Sequence, residues 1–221
     1  YTTATIGLGD KFTLYPGARL SYYALQARKM AVDPRLRFNW QVAESTAIKG
    51  GVGLYTQIPD LINLAPVWGN PRSGLERAVH TSLGVAQNFD NIGLSLEVTG
   101  FYKYVFDRST NSSQLIRDPV TEELRLENFA NQGFGQIYGM ELLVRKALTK
   151  RFFGWVSYTL SKSLIKAKPG AEYRPFGFDQ PHILTILGVY KLPRGWQVGG
   201  RFRLVSGNPS TGYFDGVYVQ D

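Results

Sequence analysis

The sequence has no cysteine and only two histidines, His80 and His182. The absence of cysteine excludes disulfide scaffolds, thiolate metal sites and cysteine nucleophiles. A zinc site made by histidines would need more ligands than this sequence supplies, and those it has are far apart. No serine lies in register with a histidine and a carboxylate, and no phosphate-binding loop is present. We therefore expect no enzyme, no metal and no cofactor.

Long apolar runs are also missing. The longest run, counting glycine, is Gly50 to Tyr55, far short of the about 18 residues that indicate a transmembrane helix. The net charge is +8, but the basic residues are scattered with no run of five, so we expect no nucleic-acid partner. A composition of 14% aromatic residues and 24 glycines favours strands over helices.

Apolar and polar residues alternate along most of the chain, which is the pattern of half-buried strands. From Ile92 to Tyr104, for example, the even positions are mostly apolar, whereas Ser95, Glu97 and Thr99 are polar. This alternation predicts ten strands, at 1–8, 11–23, 34–43, 46–56, 77–89, 92–106, 137–148, 152–165, 181–192 and 196–206.

The predicted connections alternate between short and long. The short ones fall at 9–10, 44–45, 90–91, 149–151 and 193–195, and the long ones at 24–33, 57–76, 107–136 and 166–180. Tight turns at one end and long loops at the other are typical of an outer-membrane barrel. Each strand taken alone would also fit a soluble sandwich. Ten long strands would, however, have to bury their apolar faces against one another within 221 residues.

If the short turns are periplasmic, the first strand starts outside and the last strand ends outside. Complete bacterial barrels normally keep their termini in the periplasm, so we expect residues 1–221 to be an internal segment of a larger barrel. Hydrogen bonds between the first and last strands would contradict this expectation.

Several stretches resemble the barrel of TonB-dependent outer-membrane receptors. They are GNPRSGLERAVHTSLGVAQNF (Gly69 to Phe89), GQIYGMELLVRKAL (Gly135 to Leu148), GWVSYTLSKS (Gly154 to Ser163), FDQPHILTILGVYKLPRGWQVGGRFRLVSGNP (Phe178 to Pro209) and FTLYPGARLSYY (Phe12 to Tyr23). Gly74 stands near the place where the family pattern usually has proline. Together these stretches are spread over most of the chain, from Phe12 to Pro209, in the family order.

The resemblance implies an antiparallel transmembrane barrel of about 22 strands, filled by an N-terminal plug. It implies uptake of a scarce ligand, such as a ferric siderophore, across the outer membrane of a Gram-negative bacterium. The expected partners are outer-membrane lipid, a TonB-type energy-coupling protein acting through an N-terminal region, a small-molecule ligand and other envelope proteins. We expect the plug, the coupling box and the final strands to lie outside this chain.

Glu97 and Glu141 point to the same side as other polar residues and should lie at a similar height. Adjacent carboxylates repel unless a cation lies between them, and barrel glutamates of this kind bind plug arginines in the family. We therefore predict that a plug arginine bridges Glu97 and Glu141, with Arg145 also contacting the plug. Hydration, or pairing with Arg145 and Lys103, would serve equally well.

Further candidates line the lumen and the outer loops. A basic lumen attracts anions, and the inward-facing arginines are Arg19, Arg35, Arg37, Arg201 and Arg203. These could instead only bind the plug or water. Aromatic residues assigned to the long loops are candidate ligand contacts, or could pack the loops together: Trp68, Phe129, Phe134, Tyr173 and Phe176. We interpret His80 and His182 as structural residues at strand ends.

Two other functions stay open. One is a passive porin or small closed barrel, and the other is a structural or docking barrel that has lost transport, since fold does not fix function. A plug with a coupling box upstream would favour the receptor. The ligand itself cannot be read from this sequence.

Overall fold

The chain folds into strands joined by turns and loops. The computed structural model describes residues 1–24, 28–117, 122–148 and 151–209. Three short 3₁₀ turns lie at Leu61–Leu64, Asp90–Ile92 and Pro193–Gly195. The strands are β1 (Thr2–Thr3), β2 (Ile6–Leu8), β3 (Phe12–Tyr23), β4 (Lys29–Ala43), β5 (Thr46–Gln57), β6 (Glu76–Phe89), β7 (Leu94–Arg117), β8 (Leu124–Lys146), β9 (Phe152–Lys166), β10 (Arg174–Pro175), β11 (His182–Lys191) and β12 (Gln197–Val205).

All strands join one antiparallel sheet in which neighbours along the chain are neighbours in space. The strand order is β1-β3-β4-β5-β6-β7-β8-β9-β11-β12. In addition, β2 pairs with β3 and β10 pairs with β9. Within the described residues β1 and β12 are not paired, so the sheet is open. The predicted all-β antiparallel sheet is confirmed, and the first predicted strand, 1–8, is divided into β1 and β2.

The segment 107–136 is not the long loop that the sequence predicted. β7 continues to Arg117 and β8 begins at Leu124, and the two pair from Leu94↔Lys146 to Arg117↔Leu124 through three register shifts. The two strands have 24 and 23 residues, far more than the about 9–11 that cross a bilayer. Their outer parts therefore form a ribbon beyond the membrane-spanning length.

Half of the predicted loop 24–33 is also strand, because β4 begins at Lys29 and pairs with the end of β3 at Tyr23. The connections 58–75 and 167–181 remain long. The predicted turn 149–151 lies mostly outside the described residues.

The two faces of the sheet differ sharply. Among the described aliphatic and aromatic side chains only Ala47, on β5, and Pro59, in the loop after β5, are buried, so the sheet has no core of its own. Large apolar side chains are instead exposed on one face, where they pair across strands, as Val85 and Val98 do. We call this the apolar face and the other the polar face. No helix of the described residues is long and apolar enough to span a membrane.

Candidate functional site: the polar face and the outer rim

Arginine and aromatic side chains alternate on the polar face of β3–β6. The guanidinium carbon of Arg35 lies 5.1 Å from the ring centroid of Tyr55, and that ring stacks on His80 at 4.3 Å. Arg37 lies in the same way over Tyr15, at 5.5 Å. Register explains the arrangement, because Arg35, Gly53 and His80 occupy adjacent places across β4, β5 and β6.

A cavity of about 330 Å³ opens between these pairs. Its lining includes Gly17, Gly51 and Gly53, whose missing side chains leave room between the rings. Arginine donors beside flat aromatic surfaces can hold a planar or anionic group by hydrogen bonding and stacking. We call the set of Tyr15, Arg35, Arg37, Tyr55 and His80 the arginine–aromatic wall.

Several polar atoms at this wall are buried without a hydrogen-bond partner among the described residues: Ser21 Oγ, Asp33 Oδ1 and Arg35 Nε. Asp33 is only 1% exposed, and it lies directly across from Arg19, whose side chain is exposed. Buried polar atoms are normally satisfied, so these atoms mark a place where further polar groups would fit. Asp33, Tyr15 and Tyr55 were not among the sequence candidates.

Glu97 already has a cation partner within the chain. Its Oε2 accepts a hydrogen bond from Lys49 Nζ at 2.9 Å. Lys49 lies on β5 and reaches Glu97 on β7 across Gly84 of β6, which has no side chain to block the path. Alternation alone could have placed Lys49 on this face, but its distance to Glu97 depended on the register of three strands.

Glu141 lies on the same face as Glu97, diagonally across the β7–β8 pair, because Thr99 is the residue opposite Glu141. Such diagonal neighbours are about 7–8 Å apart, and the bridging of the two glutamates by a plug arginine stays a prediction. Arg145 is opposite Ser95, and no ion pair joins it to either glutamate in the described part of the chain. Lys103 lies over the ring of Phe101 instead.

Arg201 and Arg203 are not part of the arginine–aromatic wall. They lie on β12, opposite Leu187 and Thr185, at the other edge of the sheet from β3 and β4. The sequence placed all five candidate arginines in one lumen without ordering them. The sheet order separates these two from the rest.

The five aromatic candidates of the outer rim divide into distinct places. Phe129 and Phe134 lie in β8 rather than in a loop, which corrects their assignment. Trp68 is 76% exposed on the 58–75 loop. The guanidinium carbon of Arg108 lies 5.8 Å from the ring centroid of Phe176. The Phe176 ring also packs edge-on against Phe178. Phe134 and Tyr173 both contact Lys166.

The 58–75 loop is fastened to the β7–β8 ribbon by amide side chains. Asn70 donates to the carbonyl of Phe129 at 2.8 Å. Asn131 accepts hydrogen bonds from Ser73 Oγ, at 2.8 Å, and from the Gly74 amide, and it donates to the Asp107 carbonyl at 2.7 Å. The Gly-Asn-Pro motif that begins at Gly69 therefore anchors the loop.

A second anchor holds the loop that precedes β11. Asp179 is 1% exposed. Its carboxylate accepts hydrogen bonds from Lys162 Nζ at 2.6 Å and from the Ser163 amide at 2.8 Å. His182 Nδ1 lies 2.7 Å from the hydroxyl of Tyr158. These contacts give the residues around His182 a structural role. No group of three or more potential metal ligands occurs in the described ranges.

Comparison with known proteins decides the family. The family model described as "TonB dependent receptor-like, beta-barrel" matches residues 1–220. The chain belongs to the TonB-dependent receptor family. The members of this family are receptors and transporters of the Gram-negative outer membrane, so the apolar face is the membrane-facing side of a barrel arc and the polar face lines its lumen. No curated protein matches the sequence significantly.

Solved receptors share this fold. The FrpB iron transporter of Neisseria meningitidis (F3-3 variant) aligns with a TM-score of 0.66 at 17% identity, over 90% of this chain and 31% of its own. The alcaligin outer-membrane receptor FauA of Bordetella pertussis aligns with a TM-score of 0.67 at 14% identity, over 92% and 36%. The ferric-catecholate import receptor Fiu of E. coli K12 aligns with a TM-score of 0.64 at 12% identity, over 91% and 33%. The chain thus spans about one third of these proteins, and at such identities the likeness concerns the fold alone.

Proposed function

We propose that this chain is part of the barrel wall of a receptor that imports an anionic ligand, such as a ferric siderophore. The transport is driven by a TonB-type coupling protein. The observation that carries the proposal is the arginine–aromatic wall, with its cavity and its buried Arg35 Nε, which has no hydrogen-bond partner among the described residues. Structural neighbours named as an iron transporter and a ferric-catecholate receptor support the choice of ligand class.

Charge and geometry support an anionic ligand in particular. Arg35 and Arg37 are on one strand and face the same side, so both guanidinium groups can reach one ligand. Their positive charge would attract anions into a restricted lumen. The rings of Tyr15 and Tyr55 supply flat surfaces that would favour planar chelating groups over compact inorganic anions.

The plug would contact the polar face outside the arginine–aromatic wall, on β7 and β8. We propose that a plug cation binds at Glu141, and that it shares Glu97 with Lys49. Arg145, at the periplasmic end of β8, would pair with an acidic plug residue. Outer-membrane lipid surrounds the apolar face, and other envelope proteins would contact the outer loops.

Uptake of radiolabelled iron by cells carrying the full-length receptor tests the proposal. The probes are an anionic ferric tricatecholate and a neutral ferric trihydroxamate. We expect the double variant Arg35→Gln/Arg37→Gln to lower tricatecholate uptake at limiting concentration about tenfold, because ligand binding weakens by about 1.4 kcal/mol, with a smaller effect on the neutral complex. The matched control is Arg201→Gln/Arg203→Gln, which removes the same charge from the same face far from the wall.

The alternatives predict other outcomes. A passive porin would continue to take up solute in cells that lack the coupling protein, and a docking barrel would take up neither complex. An equal loss in the control variant would show that only the overall charge of the lumen matters, which would contradict the proposed site.

A further inference from the structure

Six side chains at the outer rim of β6–β9 and of the connection that follows β9 form an unbroken row of contacts. Arg77 lies 5.3 Å over the ring of Phe106, which stacks on Tyr104 at 6.1 Å. Tyr104 stacks on Phe134 at 6.2 Å, and Lys166 Nζ lies 4.9 Å from the Phe134 ring and 5.0 Å from the Tyr173 ring. We call this the cation–aromatic row; its members, in order, are Arg77, Phe106, Tyr104, Phe134, Lys166 and Tyr173.

Strand register places the row on the apolar face of the sheet and not in the lumen. Side chains two residues apart share a face. Phe134 shares its face with Tyr138 and Met140, and Lys166 is directly opposite Phe134. Arg77 shares its face with Leu83 of the same strand, and both Tyr138 and Met140 are exposed on the apolar face. Phe134 and Tyr173 therefore face away from any ligand inside the barrel.

The height of the row matches the outer membrane interface. Arg77 lies twelve residues from Phe89, the end of β6 at the short-turn side. A strand rises about 3.3 Å per residue, and barrel strands are tilted by about 35–45°, so Arg77 stands roughly 28–33 Å above that end. The apolar band of an outer-membrane barrel is about 25 Å tall. The row consequently lies just above the hydrocarbon, at the level of lipid headgroups.

The charges of the row favour an anionic partner. Arg77 forms an ion pair with Asp107 at 2.6 Å and keeps half of its side chain exposed. Lys166 has no carboxylate partner in the part of the chain that the structure describes, and its ammonium lies between two rings that hold it at the rim. Aromatic residues favour the membrane interface, and basic residues there attract anionic headgroups.

We propose that the cation–aromatic row binds the phosphate-bearing headgroup of a lipid in the outer leaflet. Lys166 would pair with the phosphate, the exposed part of the Arg77 guanidinium, which also pairs with Asp107, would donate a further hydrogen bond, and the rings of Tyr104 and Phe134 would cover the start of the acyl chains. The proposal rests on the fold and the membrane-facing apolar face, and it is independent of which ligand the receptor transports.

The test uses the full-length receptor in nanodiscs of phosphatidylcholine that contain bisphosphorylated lipid A. Native mass spectrometry then measures how much lipid A stays bound after release. We expect Lys166→Gln to lower the retained lipid A about fivefold, since a basic residue near a membrane surface contributes about 1 kcal/mol. Lys166→Arg should restore retention. Heat-dependent gel mobility verifies that each variant is folded.

Lys103→Gln is the matched control, because Lys103 also lies over an aromatic ring, that of Phe101, but on the polar face one residue before Tyr104. It should retain lipid A like the parent protein. Equal losses in Lys103→Gln and Lys166→Gln, or no loss in Lys166→Gln, would overturn the proposal. So would equal retention of dephosphorylated lipid A by the parent protein, because the apolar wall alone would then account for binding.

Discussion

At the scale of single residues, close strand packing depends on glycines that face the lumen. A Cβ atom added at Gly139 would lie 2.2 Å from the carbonyl oxygen of Leu160 and 2.7 Å from the Cα of Ser161. Both are backbone atoms, which cannot move aside as the end of a side chain can. We therefore expect Gly139→Ala to lower the free energy of unfolding by about 1–3 kcal/mol, measured by urea titration of the full-length receptor in lipid vesicles.

Gly100 supplies the control for this substitution. It lies one position along the same strand pair, opposite Met140, and a Cβ atom there would meet only the Leu83 carbonyl at 3.8 Å. Gly100→Ala should leave stability unchanged or slightly improved, because it restricts the unfolded chain. Similar losses for both variants would show that strand packing is not the cause.

The glutamates illustrate how far residue-level prediction could reach. Alternation placed Glu97 and Glu141 on one face, and the structure confirms it. The partner of Glu97 was missed, because Lys49 is 48 residues away in sequence. Only the register of β5, β6 and β7 brings the two side chains together, and periodicity within a strand carries no information on register between strands.

At the scale of elements, the sequence located the membrane-crossing parts of the strands better than their outer ends. Alternation between apolar and polar residues arises because one face contacts lipid. Above the membrane both faces of the β7–β8 ribbon meet polar surroundings, so the segment Arg108 to Gln114 is polar throughout and resembles a loop. The missing signal has a physical cause, namely the absence of an apolar environment for either face.

Asn131 should control the position of the 58–75 loop. Its amide accepts from Ser73 and Gly74 and donates to the Asp107 carbonyl, and Asn131→Ala would remove all of these bonds. We expect faster hydrogen exchange throughout the 58–75 loop, measured by mass spectrometry, with little change in the β7–β8 pairing below Val105. Asn111→Ala, an exposed position on the same ribbon, should leave exchange in the loop unchanged. Unaltered exchange in Asn131→Ala would mean that other contacts hold the loop.

At the scale of the whole molecule, an open sheet without a core is stable only if both faces find suitable surroundings. The exposed apolar side chains require lipid. The buried polar atoms of Ser21, Asp33 and Arg35, which have no hydrogen-bond partner within the described part of the chain, require polar groups in the lumen. This division between faces was predictable from alternation alone. The division within the polar face, between the arginine–aromatic wall and the distant Arg201 and Arg203, needed the strand order.

Adjacent positions on β7 offer a direct test of the two environments. Val98 is on the apolar face and Thr99 on the polar face, next to Glu141. Val98 lies four residues from Leu94, the start of β7, which places it near the middle of an apolar band about 25 Å tall. An arginine at this depth costs about 2–4 kcal/mol, so Val98→Arg should destabilise the full-length receptor by that amount in vesicle unfolding experiments. Thr99→Arg puts the same charge beside a glutamate in the lumen and should cost much less. If the two variants lose stability equally, the apolar face does not contact lipid at this position.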